Sequence, residues 1–371
     1  MDNRWEPTYR LLAEGCQQGV YTAAVALVGV KGELAWEGAV GRLSREREAA
    51  AVTLKTVFDL ASLTKPLATA LAAMLLNQRG QLALDTTLSE IFPKGWLPED
   101  KRPLTILSLL AHRAGLPAWR PFFQEVLTAP QAERPACLAR LAVATPLEYP
   151  PDTQTLYSDL SYMLLKEVVE AVAAEGLDAY CRREIYCPLG LKTLGFNPRR
   201  QTGGGRLSFA ATEEGLTTGR NIFGEVHDEN AWAAGGVAGH AGLFGVGREV
   251  FSLLAALYRT YQGEAVKPFW PEAVRLFLTP VAGSSRTLGF DTPSGDVGQC
   301  SAGRYFSPQS VGHLGFTGTS CWLDLELGQM VVLLTNRVHL GRDDKMKIQA
   351  FRPRFHEAAS RALGFTKEFR K

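Results

Sequence analysis

Residues 58–66 read FDLASLTKP, and a run rich in alanine and leucine follows them. Gly80 ends that run, so the pattern predicts a buried helix with a glycine stop. Pro66 fixes where the helix begins, because proline lacks a backbone N–H and is tolerated only in the first turn. Ser62 is therefore expected at the helix N-terminus, with Lys65 about one turn further along the chain.

A serine and a lysine one turn apart at a helix start can act as a nucleophile and its proton acceptor. The helix start would also surround the Ser62 hydroxyl with unpaired N–H groups and the positive end of the helix dipole. However, about one Ser-x-x-Lys is expected by chance in a chain of this length, and serine is an ordinary N-cap residue. The motif alone therefore leaves a catalytic and a structural interpretation open.

The composition is that of an ordinary globular protein. The chain has 371 residues, of which 46% are hydrophobic and 21% charged, enough to bury a large core and to form two lobes. A net charge of +2 gives no reason to expect nucleic acid or an anionic membrane surface as a partner. No apolar run reaches membrane-spanning length, and the N-terminus is acidic without an apolar signal core. We therefore expect a cytoplasmic protein.

The chain shows no spacing typical of a metal site. Its cysteines form no Cys-x-x-Cys pair, which predicts free, mostly buried thiols. His227-Asp228-Glu229 and His240 lack a His-x-x-x-His spacing, so we interpret them as solvated loop charges. No metal or other cofactor is expected. The six cysteines are Cys16, Cys137, Cys181, Cys187, Cys300 and Cys321.

Residues 235–242 read GGVAGHAG, a glycine spacing that invites comparison with a nucleotide-binding loop. No strand precedes the stretch, and neither a βαβ pattern nor a following Gly-Lys-Ser/Thr is present. The stretch is therefore interpreted as a tight loop near a site.

Strand patterns lie towards both ends of the chain and helical patterns lie between them. This arrangement predicts an α+β fold with a sheet-bearing lobe from residues 1–60 and 245–371. Residues 61–244 would form an inserted, mostly helical lobe, with a cleft at the junction. The predicted strands span residues 23–30, 33–40, 315–325 and 330–335, as two hairpins. The predicted helices span residues 7–18, 62–78, 85–92, 104–110, 122–144, 160–174 and 351–363.

Three motifs occur in order along the chain: Ser62-Leu63-Thr64-Lys65, Tyr157-Ser158-Asp159 and His313-Leu314-Gly315. Their order and spacing resemble the three motifs of the penicillin-recognising serine hydrolases, which in class A enzymes are S-x-x-K, S-D-N and K-T-G. The second and third look more like the branch of class C β-lactamases, D-alanyl-D-alanine carboxypeptidases and esterases. Residues 109–117 (LLAHRAGLP) and 225–244 also resemble this branch. The likeness extends over residues 20–340.

The resemblance implies a β-lactamase-like fold, with an antiparallel sheet built from both chain ends, and an enzyme that acts through an acyl-enzyme. Ser62 would attack a carbonyl, and Lys65 and Tyr157 would together carry its proton. Lysine serves as a base only when partly neutral, which burial beside a second cation or a dipole can bring about. The backbone N–H groups of Ser62 and Phe316 would form the oxyanion hole. The resemblance implies no cofactor and a small ester, amide or peptide as substrate. The other implied substrate-binding residues are Asp159, His313 and Gly315.

Three residues depart from the pattern of this branch. Asp159 stands where the branch usually has asparagine, and a carboxylate donates no hydrogen bond unless it is protonated. Leu314 replaces a threonine whose hydroxyl helps to hold a substrate carboxylate, and His313 is a weaker cation than lysine at neutral pH. These changes favour a cytoplasmic esterase or amidase over a β-lactamase.

Several alternatives stay open at this point. The enzyme alternatives are a β-lactamase and a D-alanyl-D-alanine carboxypeptidase, and the rival from another class is a catalytically silent binding or sensor protein. Tyr157 could be a packed aromatic residue, and His313 could be a hydrogen-bonded core histidine. The oligomeric state is not indicated by the sequence.

Overall fold

The computed structural model describes residues 3–201, 207–213, 220–293 and 300–370. Within these ranges the main sheet has five strands in the order β2-β1-β8-β7-β6, and all neighbouring strands are antiparallel. Its strands are β1 (Ala23–Val30), β2 (Glu33–Gly41), β6 (Ser310–Leu314), β7 (Ser320–Asp324) and β8 (Gln329–Thr335). Because β1 pairs with β8, the sheet is built from both ends of the chain, as predicted. A smaller sheet has the order β3-β5-β4, from β3 (Phe58–Asp59), β4 (Gly195–Phe196) and β5 (Leu243–Gly245).

Helices make up most of the remaining described structure. The α-helices are α1 (Glu6–Gln17), α2 (Leu71–Gln78), α3 (Leu88–Ile91), α4 (Ile106–Leu110), α5 (Phe123–Val126), α6 (Arg134–Ala144), α7 (Asp159–Ala173), α8 (Leu177–Cys181), α9 (Pro198–Gln201), α10 (Glu229–Ala233), α11 (Gly247–Tyr261), α12 (Pro271–Leu278) and α13 (Met346–Ala362). Short 3₁₀ segments occupy Asn3–Trp5, Ala61–Leu63, Gln131–Glu133 and Arg337–Leu340, and π-helical segments occupy Lys65–Ala70 and Arg182–Tyr186.

The central strands are covered on both faces, which explains why β1 reads as an uninterrupted apolar run. Successive residues of a strand point to opposite faces, so β1 contributes to two separate cores. Val25 and Leu27 belong to a large core that contains the buried face of α11. Ala26 and Val28 belong to a second core, which contains Phe351 of α13.

Several predicted elements need correction. The strand predicted over 315–325 is wrong at its start, because residues 315–319 turn the chain from β6 into β7 and the Gly315 amide bonds the Thr319 carbonyl at 2.8 Å. Strand β6 and helices α11 and α12 were missed. Helix α13 starts at Met346, five residues before the predicted boundary. The helix predicted over 85–92 is limited to α3, and the one predicted over 122–144 is divided into α5 and α6 around Pro130.

The cysteines and the helices bear on two further expectations. All six cysteines lie in described residues and are free, and four of them are buried, as predicted. In the described ranges, every helix is too short or too polar to cross a membrane. The cytoplasmic location and the division into two lobes stay predictions.

Candidate active site

Ser62 lies in a short 3₁₀ turn directly after β3, and this turn is fixed from two sides. The Leu60 amide bonds the Leu243 carbonyl at 2.9 Å. From the β6–β7 turn, the Thr317 hydroxyl donates to the Asp59 carbonyl at 2.9 Å. Ala61 has a φ of 48°, a left-handed conformation that is unfavourable for alanine. Backbone strain is therefore stored immediately before the predicted nucleophile.

Asp59 holds this strained turn in place. Its carboxylate accepts the Ala61 amide at 2.8 Å and the His227 amide at 2.7 Å. Burial raises the pKa of Asp59 to about 6, although both amide bonds oppose the change. The buried Asp59 side chain therefore joins the backbone at Ala61 to the backbone at His227, and both of these residues line the cleft described below.

Lys65 is fully buried, and its ammonium contacts three acceptors. Lys65 Nζ lies 3.2 Å from Ser62 Oγ, 2.7 Å from Asp159 Oδ1 and 3.0 Å from the His240 carbonyl oxygen. The contacts with Ser62 Oγ and the His240 carbonyl are hydrogen bonds, and the contact with Asp159 is an ion pair. Burial lowers the pKa of Lys65, but the charges of Asp159 and Tyr157 outweigh burial and leave the pKa above its ordinary value. A carboxylate thus lies beside Lys65, whereas a partly neutral lysine was expected to have a second cation or a dipole beside it.

Tyr157 completes this cluster. The Lys65 ammonium lies 4.8 Å from the centroid of its ring. Burial raises the pKa of Tyr157 and Asp159 adds to the effect, whereas contacts with Lys65 and Ser62 partly offset it. The structure therefore brings together the four predicted residues Ser62, Lys65, Tyr157 and Asp159, and it favours a charged lysine beside a neutral tyrosine.

Two residues that sequence reasoning missed hold the Tyr157 ring. The centroid of the buried His112 ring lies 4.7 Å from that of Tyr157, and His112 Nδ1 accepts the Ser158 amide at 3.0 Å. The Arg286 guanidinium carbon lies 5.1 Å from the Tyr157 centroid. His112 belongs to the family-like stretch at residues 109–117, which was a usable signal for it. Arg286 lies in no motif and gave no signal.

The third motif ends β6 and contributes no charge at neutral pH. His313 is buried, its Nδ1 lies 2.9 Å from the Leu314 carbonyl oxygen, and its ring centroid is 5.8 Å from that of Tyr157. Burial lowers the pKa of His313 to about 4, with Lys65 and Arg286 adding to the effect and Asp291 opposing it. His313 is therefore a neutral imidazole behind Tyr157.

Gly315 and Phe316 follow in the turn after β6. A Cβ at Gly315 would lie 2.0 Å from Thr319 Oγ1 and 2.8 Å from the Leu60 carbonyl oxygen, so only glycine fits there. Among the described residues, the Phe316 amide has no hydrogen-bond acceptor. Phe316 and Ser62 line the same cleft, and an oxyanion hole requires such a free N–H.

Part of this site opens into a cleft with a volume of about 380 Å³. Ser62, Tyr157 and Asp159 are among the residues that line it. The side chains of Trp119 and Phe316, 42% and 39% exposed, add aromatic surface. A small ester, amide or peptide fits a cleft of this size, in which aromatic surface lies near a few polar groups.

The interpretation of His227-Asp228-Glu229 and His240 as solvated loop charges is wrong. Both histidines are buried. His227 Nε2 lies 2.6 Å from Glu213 Oε2, and His240 Nε2 lies 3.0 Å from Asp228 Oδ1. Residues 227–229 line the cleft. The segment is therefore part of the candidate site.

Asp159, Asp228 and His240 are the described residues best placed to hold a cation, because their ligand atoms lie within 4.8 Å of one another. The Lys65 ammonium already lies 2.7 Å from Asp159 Oδ1, and the Ala231 amide bonds Asp228 Oδ1 at 2.8 Å. A metal ion would have to compete with an ammonium for the same oxygen. The absence of a metal stays a prediction.

The glycine stretch at 235–242 packs against the helix that follows Ser62. The Thr69 hydroxyl donates to the Gly239 carbonyl at 2.7 Å, and the Leu243 amide donates to Thr64 Oγ1 at 3.0 Å. A Cβ at Gly239 would lie 1.9 Å from the Tyr162 carbonyl oxygen. The predicted tight loop near the site is confirmed, and close approach of backbones explains Gly239 and Gly242.

The sequence profile of the Beta-lactamase family matches residues 9–352. The chain belongs to the beta-lactamase family. A relative from Escherichia coli (strain K12), named a putative D-alanyl-D-alanine carboxypeptidase, is 34% identical over 315 residues, which cover 80% of this chain and 72% of that protein. The predicted family is thereby confirmed.

Solved structures share the fold of this beta-lactamase family member. The octameric penicillin-binding protein homologue from Pyrococcus abyssi has a TM-score of 0.73 and 18% identity, over 98% of this chain and 78% of its own. EstCE1, described as a hydrolase with promiscuous acyltransferase activity, has a TM-score of 0.70 and 21% identity, over 95% of this chain and 98% of its own. These likenesses confirm the β-lactamase-like α+β fold.

Proposed function

We propose that this beta-lactamase family member is a serine hydrolase that acts through an acyl-enzyme on a carboxylic ester or amide. The observation that carries the proposal is the contact of the Ser62 hydroxyl with the buried Lys65 ammonium, beside Tyr157 and at the edge of the cleft. A serine hydroxyl is a poor nucleophile without such neighbours.

In the proposed reaction, Ser62 Oγ attacks the substrate carbonyl and its proton passes to the deprotonated form of the Lys65–Tyr157 pair. The developing oxyanion accepts a hydrogen bond from the Phe316 amide. The pair then gives the proton to the leaving group as the carbonyl–leaving-group bond breaks. Water then attacks the resulting ester while the pair takes a proton from it. The pair gives that proton to Ser62 Oγ as the acyl–oxygen bond breaks, which releases the acid and restores both Ser62 and the deprotonated pair.

Labelling with a fluorophosphonate probe separates this proposal from a catalytically silent binding protein. An active hydrolase forms one adduct on Ser62, and the matched Ser62→Ala variant forms none. The control variant Ser252→Ala removes a serine of helix α11 and should label like the wild type. Failure of the wild-type protein to react, at any pH between 6 and 10, would favour the silent alternative.

For the substrate, we propose that neutral short-chain esters are turned over faster than β-lactams. Leu314 offers no hydroxyl and His313 no charge at neutral pH, so an anionic group finds little help at the end of β6. The name of the Escherichia coli relative favours a second candidate, a D-alanyl-D-alanine carboxypeptidase. Comparing kcat/KM for an aryl acetate, a cephalosporin and an N-acylated D-alanyl-D-alanine decides among these substrates.

A further inference from the structure

The third acceptor of Lys65 is a main-chain carbonyl in a glycine-rich loop. The His240 carbonyl oxygen lies 3.0 Å from Lys65 Nζ, between Gly239 and Gly242. Glycines leave a backbone free to adopt many conformations. The loop is held at Gly239 and at Leu243 by the hydroxyl groups of two threonines. Between these two points, the His240 side chain is the remaining group that can fix the carbonyl.

Asp228 holds that side chain. Asp228 is the N-cap of α10, where its Oδ1 accepts the Ala231 amide at 2.8 Å. The same oxygen lies 3.0 Å from His240 Nε2. The His240 side chain is 1% exposed, so it has almost no freedom to move once this contact is made. One carboxylate thus fastens the glycine loop to the start of a helix.

Asp228 is also a permanent negative charge close to Lys65. Burial opposes ionisation, but His240, the Ala231 amide and Lys65 together keep the pKa of Asp228 well below its ordinary value. So weak a base is unsuited to accepting a proton from Ser62 or water. The other titratable groups that face Lys65 are Asp159, Tyr157, Tyr162, His112 and His313.

We propose that Asp228 and His240 are a positioning pair for Lys65, which fixes the His240 carbonyl so that the ammonium points at Ser62. The inference rests on the proposed function, since it concerns the group that carries the Ser62 proton. Neither residue reacts with the substrate. Their effect is on the geometry and the charge of Lys65.

The test uses Asp228→Ser, His240→Asn and the double variant of the full chain. Asp228→Asn is measured beside them as the variant that removes only the charge, because its amide oxygen can still accept both hydrogen bonds. The test measures the rate of fluorophosphonate labelling of Ser62, and kcat and KM on one neutral aryl ester, across pH. Each single variant should lower the labelling rate and kcat by about 10- to 100-fold, the scale of a misplaced catalytic group, with little change in KM. The double variant should be no slower than the slower single variant, because the two residues act as a unit.

The pH profile separates positioning from a merely structural role. Removing the Asp228 charge takes a carboxylate away from Lys65, so the acid limb of Asp228→Asn should move to lower pH. His356→Asn is the matched control. His356 is also buried, and its Nδ1 lies 2.6 Å from the Ser301 carbonyl oxygen, outside the cleft. This control should lose stability without moving the limb.

Asp228→Ser keeps an N-cap acceptor for α10 while removing the contact with His240. A loss of labelling rate in this variant, larger than in Asp228→Asn, is therefore expected from the lost contact with His240 and not from a disordered α10. Wild-type labelling rates with an unmoved acid limb in the single variants, or additive effects in the double variant, would overturn the positioning pair and leave the proposed function intact. A wild-type protein with unreactive Ser62 would overturn both.

Discussion

The two groups of residues around the cleft differ in charge. The proton-transfer cluster, made of Ser62, Lys65, Tyr157 and Asp159, contains a buried ion pair with a separation of 2.7 Å. The β6 end, made of His313, Leu314, Gly315 and Phe316, is neutral at pH 7 because burial lowers the pKa of its histidine to about 4. The residues that the proposed acyl transfer requires thus lie together, while the β6 end offers an anionic substrate neither a charge at neutral pH nor a hydroxyl at Leu314.

Proton transfer and substrate binding thus depend on different residues, and we expect substitutions to change them separately. The proton-transfer cluster is fixed by contacts from three directions: β3, the start of α7 and the glycine loop. The β6 end is fixed by shape, since no side chain fits at Gly315. Substitutions in the first group should therefore act on rate, and substitutions in the second on substrate preference or stability.

The largest effect is expected from Lys65→Met, which keeps the length of the side chain and removes its charge and donors. We expect kcat/KM on a neutral ester to fall by at least about a thousandfold, in the range found when general acid–base groups are lost. Lys101→Met is the matched control, because Lys101 is also fully buried and pairs with Asp100. It should lower stability and leave kcat/KM within about twofold. A loss smaller than tenfold in Lys65→Met would remove the lysine from the proposed mechanism.

Next in size is the effect of His313 on stability. Its pKa is about 4 in the folded protein and near 6.5 in the unfolded chain, so the unfolded chain binds more protons between these values. The contribution of the neutral His313 to the free energy of unfolding is complete above pH 6.5 and is lost as the pH falls towards 4. The total loss is about 3 kcal/mol, because one pKa unit corresponds to about 1.36 kcal/mol. In urea unfolding at pH 7.5 and pH 4.5, His313→Asn should show a smaller acid loss than the wild type. Equal losses would show that folding does not lower the pKa of His313, which would then be charged in the folded protein at pH 4.5.

Asp159→Asn keeps the shape of the side chain and removes its charge. Without this carboxylate the pKa values of Lys65 and Tyr157 both fall, so the acid limb of kcat/KM should move to lower pH by up to about one unit. The wild-type enzyme should accordingly work best at mildly alkaline pH. Since Lys65 and Tyr157 titrate as a coupled pair, the shift belongs to the cluster.

The control for this variant is Asp178→Asn, an exposed carboxylate at the start of α8. Its profile should coincide with that of the wild type. Movement of the Asp159→Asn limb to higher pH would contradict the sign of the proposed electrostatics.

The smallest effect is expected from Leu314→Thr, which restores a hydroxyl at the β6 end. A carboxylate-bearing substrate should gain about 1 kcal/mol, the worth of one hydrogen bond, or about fivefold in kcat/KM. A matched neutral ester should gain nothing. Leu314→Val controls for the change in shape, and an equal gain in that variant would assign the effect to space instead of hydrogen bonding.

The chemistry-bearing motifs could be predicted from sequence because each is local. Pro66 set the start of the Ser62 helix, and burial of both faces of β1 produced a readable apolar run. Helix α11 was also readable, since Val250, Leu254 and Leu257 recur at helical spacing, and it was missed. Strand β6 could not be read in this way, because its buried positions include Ser310 and His313, which no alternation of polar and apolar residues reveals.

The contacts that join distant segments could not be predicted from sequence. Asp228 precedes helix α10 and His240 lies in the glycine loop after it, while Lys65 lies far earlier in the chain. The packing of Gly239 against α7, and its hydrogen bond from Thr69, help to bring the three together. Their charges were therefore interpreted as solvated, which is the usual state of loop charges but not of buried ones.

The most direct test of the account is the mass of the protein during turnover of a slow neutral ester. Intact-mass spectrometry after rapid acid quenching should show the wild-type protein heavier by one acyl group, and peptide mapping should place that group on Ser62. The Ser62→Ala variant should show no added mass. An acyl group on another residue, or turnover by Ser62→Ala at the wild-type rate, would contradict the account.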